Sequence, residues 1–201
     1  MSAVQAERHP QPVSEEVFRA RRARVGVLLL ILADAIMMIA AFASYGYLKA
    51  LNTEATFRPA GEHAPSPAGG LVVALLVAAG AVAYRAMVVP GAGTREAGGR
   101  VRGGLALVLG LVTVALAVQC WLMAAGLSYA VPVHGYASMV ILLAGLHLVH
   151  LALTAVATLL LFGRTARGLL IGRGYLVEAA GYWWYYVAVL GILVWVLGAL
   201  A

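Results

Sequence analysis

Residues 25–48 read VGVLLLILADAIMMIAAFASYGYL, an apolar stretch interrupted by a single carboxylate, that of Asp34. A membrane-spanning helix needs about 20 consecutive and mostly apolar residues, and this stretch exceeds that length. It is too long for the apolar core of a signal peptide, and no small-residue cleavage site follows it. We therefore expect it to stay in the mature protein as the first transmembrane helix.

Four further segments have the length and the apolar character of spanning helices, namely residues 69–89, 103–130, 135–162 and 179–201. Polar connections containing proline or glycine separate the five segments. The chain is 63% hydrophobic and 11% charged, whereas a soluble domain carries about a quarter charged residues. The sequence predicts an all-α membrane protein, with a polar segment over residues 1–24 and a bundle of five transmembrane helices over residues 25–201.

The basic residues predict how this bundle is oriented in the membrane. Twelve of the fourteen basic residues lie before the first segment, or in or next to the second and fourth connections. A five-helix path places these three regions on one side of the membrane. Lys49 and Arg58 fall on the other side. Lysine and arginine are retained in the cytoplasm during insertion, so we expect a cytoplasmic N-terminus and a periplasmic or outside C-terminus. Because the basic residues form no continuous surface, no nucleic-acid partner is expected.

Asp34 is the one carboxylate inside an apolar segment. A carboxylate at the centre of a spanning helix costs roughly 2.5–3.5 kcal/mol on insertion scales, so its side chain should face protein or water and be paired or protonated. One interpretation is a proton-exchanging or lipid-headgroup-sensing group, which is favoured because intramembrane acids are usually functional. The other is a neutral, hydrogen-bonded packing residue.

His147 and His150 lie three residues apart in the fourth segment, which places them on one side of a helix. Such a pair could hold a metal ion or pass a proton, but hydrogen bonding to a neighbouring helix or to lipid is the favoured interpretation. A haem held between two helices needs an axial ligand from each, and no other segment has a histidine at mid-membrane depth. No cofactor or metal is therefore expected in this chain.

The remaining residues predict packing rather than chemistry. Glycines such as Gly104, Gly110 and Gly191 allow close approach of helices, and the single cysteine, Cys120, is interpreted as a small packing residue. No phosphate loop, nucleophile motif or zinc-ligand spacing is present, so catalysis by this chain alone is not expected. Several aromatic residues near segment ends are expected at the membrane interface: Tyr45, Tyr47, Trp121, Tyr129, Tyr136, Trp183 and Trp184.

Several motifs together resemble cytochrome c oxidase subunit III. Residues 30–38, LILADAIMM, and 43–47, ASYGY, resemble the membrane-embedded acidic motif of that family and the small-Ala-Tyr segment after it. Further resemblances follow in the family's order. They are 57–59, FRP; Gln119; 136–138, YAS; 145–149, GLHLV, which resembles a His-Gly-Leu-His-Val motif; and 182–187, YWWYYV, which resembles a closing Tyr-Trp-His-Phe-Val-Asp motif.

The chain departs from the family at several of these positions. Asp34 stands in place of a glutamate, and Ala144 in place of the first histidine of the fourth-helix motif. Tyr185 and Ala188 stand where the closing motif has histidine and aspartate. His150 is hypothesised to replace the missing histidine.

The resemblance implies the five-helix bacterial form of a haem-copper oxidase subunit III, located in the inner (plasma) membrane. Such a chain has no catalytic centre. It packs against the catalytic subunit I, belongs to a complex with subunit II, binds phospholipid and supports proton uptake, while haem and copper are held by its partners. Asp34, His147 and His150 are then the candidate proton- or lipid-related residues.

Three matters stay open from the sequence. Membership of a respiratory supercomplex is not encoded in any motif. Related chains accompany quinol oxidases and nitric oxide reductases, so the electron donor and acceptor are undetermined. A small transporter or lipid-handling protein, with Asp34, His147 and His150 lining a polar cavity, is the alternative from another class.

Overall fold

The computed structural model describes residues 15–51, 57, 66–125 and 134–199, and within these ranges the chain is helical and contains no strand. Five of its helices are long and apolar enough to cross a membrane. They are α1 (Glu15–Ala50), α2 (Pro67–Ala83), α3 (Gly98–Ala125), α4 (Gly135–Ala166) and α5 (Gly174–Ala199), and α2 continues into a π-helical turn, Tyr84–Val88. The predicted all-α, five-helix architecture is therefore confirmed for the described residues.

Four of the five helices begin earlier than the apolar pattern predicts, α2 by two residues and α3 by five. α1 begins at Glu15 rather than at residue 25, and α5 begins at Gly174 rather than at residue 179. Glu15 and Glu16 in the first turn of α1 favour the helix by complementing its dipole. Residues 15–24 of the predicted polar segment are thus a helical extension of α1. Arg24 in that extension donates to the Glu178 carboxylate of α5 at 2.9 Å.

The bundle centres on α2, α3, α4 and α5, and α1 packs at its edge against α4 and α5. The core between α2, α3 and α5 is apolar, and its fully buried residues include Val73, Val77, Leu105, Val108 and Val187. α1 is the least buried helix, since its buried residues are Met38 and Tyr45. This edge position leaves a groove between α1 and the rest of the bundle.

Glycines bring the helices together at some of the predicted positions. A Cβ at Gly191 would lie 2.7 Å from His147 Nε2, and one at Gly104 would lie 2.9 Å from the Met87 Cβ. Gly110 instead has no neighbour within 4 Å of such a Cβ, and Cys120 is exposed. Gly110 and Cys120 therefore lie toward the outside of the bundle, and packing at these two positions stays a prediction.

Several of the aromatic residues that were predicted at the membrane interface are buried inside the bundle. Tyr45, Tyr136 and Trp184 are buried, whereas Tyr47 and Trp121 are exposed, and Tyr129 lies outside the described residues. The reason for Trp184 is its neighbour on α2, because a Cβ at position 80 would lie 2.7 Å from its ring. A glycine on the facing helix thus admits a large ring between helices.

Three basic parts of the chain meet at one end of the bundle. The α2–α3 and α4–α5 connections touch through a hydrogen bond of 2.9 Å from the Gly172 N–H to the Gly93 carbonyl. The first turns of α1 lie beside both connections, since Glu16 lines a hollow with Gly93 and Gly172. The grouping of these basic segments on one side, which the five-helix path predicts, is observed for the described residues.

Candidate functional site: an acid–histidine–tyrosine cluster

Asp34 is paired with side chains from two other helices. Its Oδ2 lies 2.7 Å from His150 Nε2 on α4, and the Tyr186 hydroxyl on α5 donates a hydrogen bond to the same oxygen. The side chain of His150 is 4% exposed and that of Asp34 is 16% exposed. The three residues form one cluster where α1, α4 and α5 meet, which we call the acid–histidine–tyrosine cluster.

The hydrogen bonds of His150 indicate where the protons of the Asp34–His150 pair lie. His150 Nδ1 lies 2.6 Å from the Leu146 carbonyl oxygen. A carbonyl can only accept, so Nδ1 must carry a hydrogen. At 2.7 Å two facing lone pairs or two facing hydrogens would repel each other, so the contact between Nε2 and Asp34 Oδ2 holds one proton, bound either to the carboxyl group or to the imidazole. Both forms of the pair have no net charge, which suits apolar surroundings.

Trp183 and Thr154 fix the imidazole in this position. The indole of Trp183 stacks on the His150 ring with centroids 5.6 Å apart and planes 15° apart. Its Nε1 donates to Thr154 Oγ1 at 2.9 Å, and the Thr154 hydroxyl donates to the His150 carbonyl at 2.7 Å. The ring is thus held on one face and cannot turn away from Asp34 without breaking the stack.

His147 belongs to a separate polar contact. Its Nδ1 lies 2.8 Å from Gln119 Oε1, and Gln119 Nε2 donates to the Ala144 carbonyl at 2.6 Å. This bonding fixes the amide orientation, so His147 Nδ1 is the donor toward Gln119. Positions three apart on an α-helix differ by about 300° in direction, which turns the two imidazoles about 60° apart. His147 therefore bonds to α3 and has its Nε2 close to Gly191 of α5, whereas His150 faces Asp34 of α1 and Trp183 and Tyr186 of α5.

An apolar groove of about 850 Å³ borders the cluster between α1, α4 and α5. Most of its wall is aliphatic, including Val27, Leu30, Leu153 and Leu161, whereas Asp34, His150 and Thr154 supply polar groups and Arg22 also lines it. Among the described residues, no three His, Cys, Asp or Glu side chains converge as metal ligands would. The groove has the size and lining of a site for an apolar or amphipathic molecule.

The sequence singled out Asp34 and His150, and the structure brings them together. It did not single out Tyr186, Trp183 or Thr154 as members of the site. A signal was available for two of these residues, because Trp183 and Tyr186 are three apart on α5 and so share a face. Trp183 was predicted at the membrane interface, and in the structure it is half-buried against α4.

Sequence comparison finds no protein-family model that matches the chain and no curated protein that matches it. Function is therefore inferred from the geometry of the cluster and from the order of the sequence motifs.

Proposed function

We propose that this chain is the non-catalytic subunit III of a respiratory haem-copper oxygen reductase of the cytochrome c oxidase type. In this role it stabilises the catalytic subunit I in a complex that includes subunit II, binds phospholipid and supports proton uptake. Haem and copper are held by the partner subunits. The chain resides in a bacterial inner membrane with its N-terminus in the cytoplasm and its C-terminus outside.

The observation that carries this proposal is the contact between Asp34 and His150. Asp34 belongs to the acidic motif of the first helix, and His150 lies one turn beyond His147 of the fourth-helix motif. Two regions that resemble the same family in sequence thus meet in space through their ionisable groups. Tyr186, which touches the same carboxylate, belongs to a third region of resemblance, residues 182–187.

The single proton between Asp34 and His150 allows the cluster to transfer a proton. The proton can move between Oδ2 and Nε2 without leaving a net charge in the membrane, because either form of the pair is neutral. A group of this kind can receive a proton on one atom and release one from another. This supports a role in proton uptake by the complex.

His150 also fits the hypothesis that it replaces the missing family histidine at Ala144. If it does, His150→Ala should reduce assembly with the catalytic subunit or the content of bound phospholipid. His147→Ala is the matched control, because its imidazole bonds to Gln119 rather than to Asp34. The hypothesis is lost if His150→Ala leaves both quantities unchanged while His147→Ala reduces them.

The apolar groove supports the phospholipid part of the proposal. Its aliphatic walls suit an acyl chain, and Arg22 offers a cation to a headgroup. Because His147 does not line the groove with Asp34 and His150, the geometry gives less support to a transporter in which all three residues line one polar cavity. A quinol oxidase or nitric oxide reductase would use the same subunit surfaces, since the donor and acceptor sites lie on other subunits.

The experiment that tests the proton role is the Asp34→Ala variant in the purified complex. We expect the complex to assemble and to start with ordinary activity, but to inactivate faster during sustained turnover. Cys120→Ala is the control, because Cys120 is exposed and distant in sequence from the cluster. Inactivation kinetics in Asp34→Ala that equal those of the wild type would remove the proton role.

A further inference from the structure

A second cavity lies between the α2–α3 and α4–α5 connections, at the end of the bundle where the basic segments meet. Its volume is about 240 Å³, and its lining includes Thr94, Arg95 and Arg102 from one side and Thr165, Leu170 and Ile171 from the other. At about 30 Å³ for each water molecule, this space holds a small polar group but not an acyl chain. We call it the loop cavity.

The walls of the loop cavity are fixed by contacts between the two connections. The Gly172 N–H donates to the Gly93 carbonyl at 2.9 Å. Gly93 has a φ of +92°, and a Cβ at this position would lie 2.7 Å from the Gly174 backbone nitrogen. Only glycine accommodates both this positive φ and the close approach to the Gly174 backbone. The cavity is therefore a preformed feature of the fold rather than a chance gap between loose loops.

The charge of the loop cavity is not balanced by the protein. Arg95 and Arg102 line it together, and no Asp or Glu contributes to the described lining. Both side chains are exposed, and neither makes an ion pair or a hydrogen bond with the described residues. Nearby, by contrast, the Arg100 side chain is bonded to the Pro90 carbonyl. Two arginines of the same short region thus keep all their donors available beside one cavity.

We propose that the loop cavity binds a phosphate group. Arginine donates two parallel hydrogen bonds to phosphate oxygens, and basic pockets between transmembrane helices on the cytoplasmic side bind anionic lipid headgroups. Gly98 and Gly99 also line the cavity, so the partial positive charge at the start of α3 adds to the attraction. Leu170 and Ile171 offer an apolar wall to the first carbons attached to a phosphodiester.

The test titrates the purified, delipidated protein, with the subunits that copurify with it, and measures the dissociation constants of three probes. These are phosphatidylglycerol, phosphatidylcholine and inorganic phosphate. The variant is Arg95→Gln/Arg102→Gln, and the matched control is Arg21→Gln/Arg85→Gln, which removes the same charge from exposed positions outside the cavity. We expect phosphatidylglycerol to bind the cavity variant at least tenfold more weakly than it binds the wild type and the control.

The three probes distinguish the source of the phosphate group. If phosphatidylglycerol alone shows the dependence on Arg95 and Arg102, the ligand is an anionic headgroup. If inorganic phosphate shows the same dependence, a free phosphate suffices. Phosphatidylcholine, whose phosphate is balanced by choline, should bind more weakly in either case. The proposal is overturned if both anions bind the wild type and the cavity variant equally. It is also overturned if the control variant loses as much affinity as the cavity variant.

Discussion

Replacing Asp34 by alanine or by asparagine should separate the hydrogen bonds of the cluster from its acidity. In the wild type, Asp34 Oδ2 meets both His150 Nε2, at 2.7 Å, and the Tyr186 hydroxyl. Alanine removes the acceptor and leaves both partners in their places. Asparagine can restore two contacts, because its amide nitrogen has one hydrogen for the His150 Nε2 lone pair and another for the Tyr186 oxygen.

The expected magnitudes follow from that count of contacts. Side-chain hydrogen bonds between membrane helices average about 0.6 kcal/mol and reach about 1.7, so losing two should cost about 1–3 kcal/mol in Asp34→Ala. The asparagine variant keeps two contacts of ordinary strength and should lose less than about 1 kcal/mol. For a chain of this size, each kcal/mol corresponds to a fall in Tm of about 2–4 °C.

The assay is thermal or denaturant unfolding in detergent, combined with a double-mutant cycle. Asp34→Ala and His150→Ala should be coupled by about 0.5–3 kcal/mol, because the two residues are in contact. Asp34→Ala and His147→Ala should be additive to within about 0.5 kcal/mol, since His147 bonds to Gln119 instead. Equal losses in the alanine and asparagine variants, or additivity of Asp34→Ala with His150→Ala, would refute the shared-proton pair.

Two further predictions concern the packing of the helices and the orientation of the chain. Gly191→Ala should destabilise the bundle by about 1–3 kcal/mol through overpacking, because its Cβ would lie 2.7 Å from His147 Nε2. Gly110→Ala is its control and should be neutral or stabilising by about 0.5–1 kcal/mol, since no atom lies within 4 Å of the new Cβ. In a Cys120→Ser background, single cysteines placed at the two chain ends should react with an impermeant maleimide from opposite faces of the membrane. Labelling of both ends from the same face would contradict the five-helix topology.

The five helices could be predicted from the sequence because apolar length is a direct physical requirement of the bilayer. The helix ends could not, because hydropathy marks where a helix enters water and not where its hydrogen bonding stops. Glu15 and Arg19 illustrate this, since their ion pair, spaced i to i+4, lies outside the apolar stretch yet within α1. The segment 126–130, predicted as the end of the third helix, lies outside the described residues.

The site could be predicted only in part. Asp34 and His150 stand out in the sequence because a polar group at membrane depth is costly and must be paired. Their pairing was not predictable, since the two residues are 116 positions apart and meet only through the packing of α1 against α4. The directions of His147 and His150 also depend on which helices surround α4. Spacing alone suggested one face, whereas packing gave the two imidazoles different partners.

The most direct test of the central proposal is a tagged purification of this chain from its native membrane, followed by an optical haem spectrum and copper analysis. We predict that haem- and copper-containing subunits copurify with the chain in fixed proportion. They should also copurify with the Asp34→Ala variant, because loss of the Asp34 carboxylate is expected to shorten sustained turnover rather than to prevent assembly. A stable, solitary protein without haem absorbance or copper would contradict the assignment to a haem-copper oxidase.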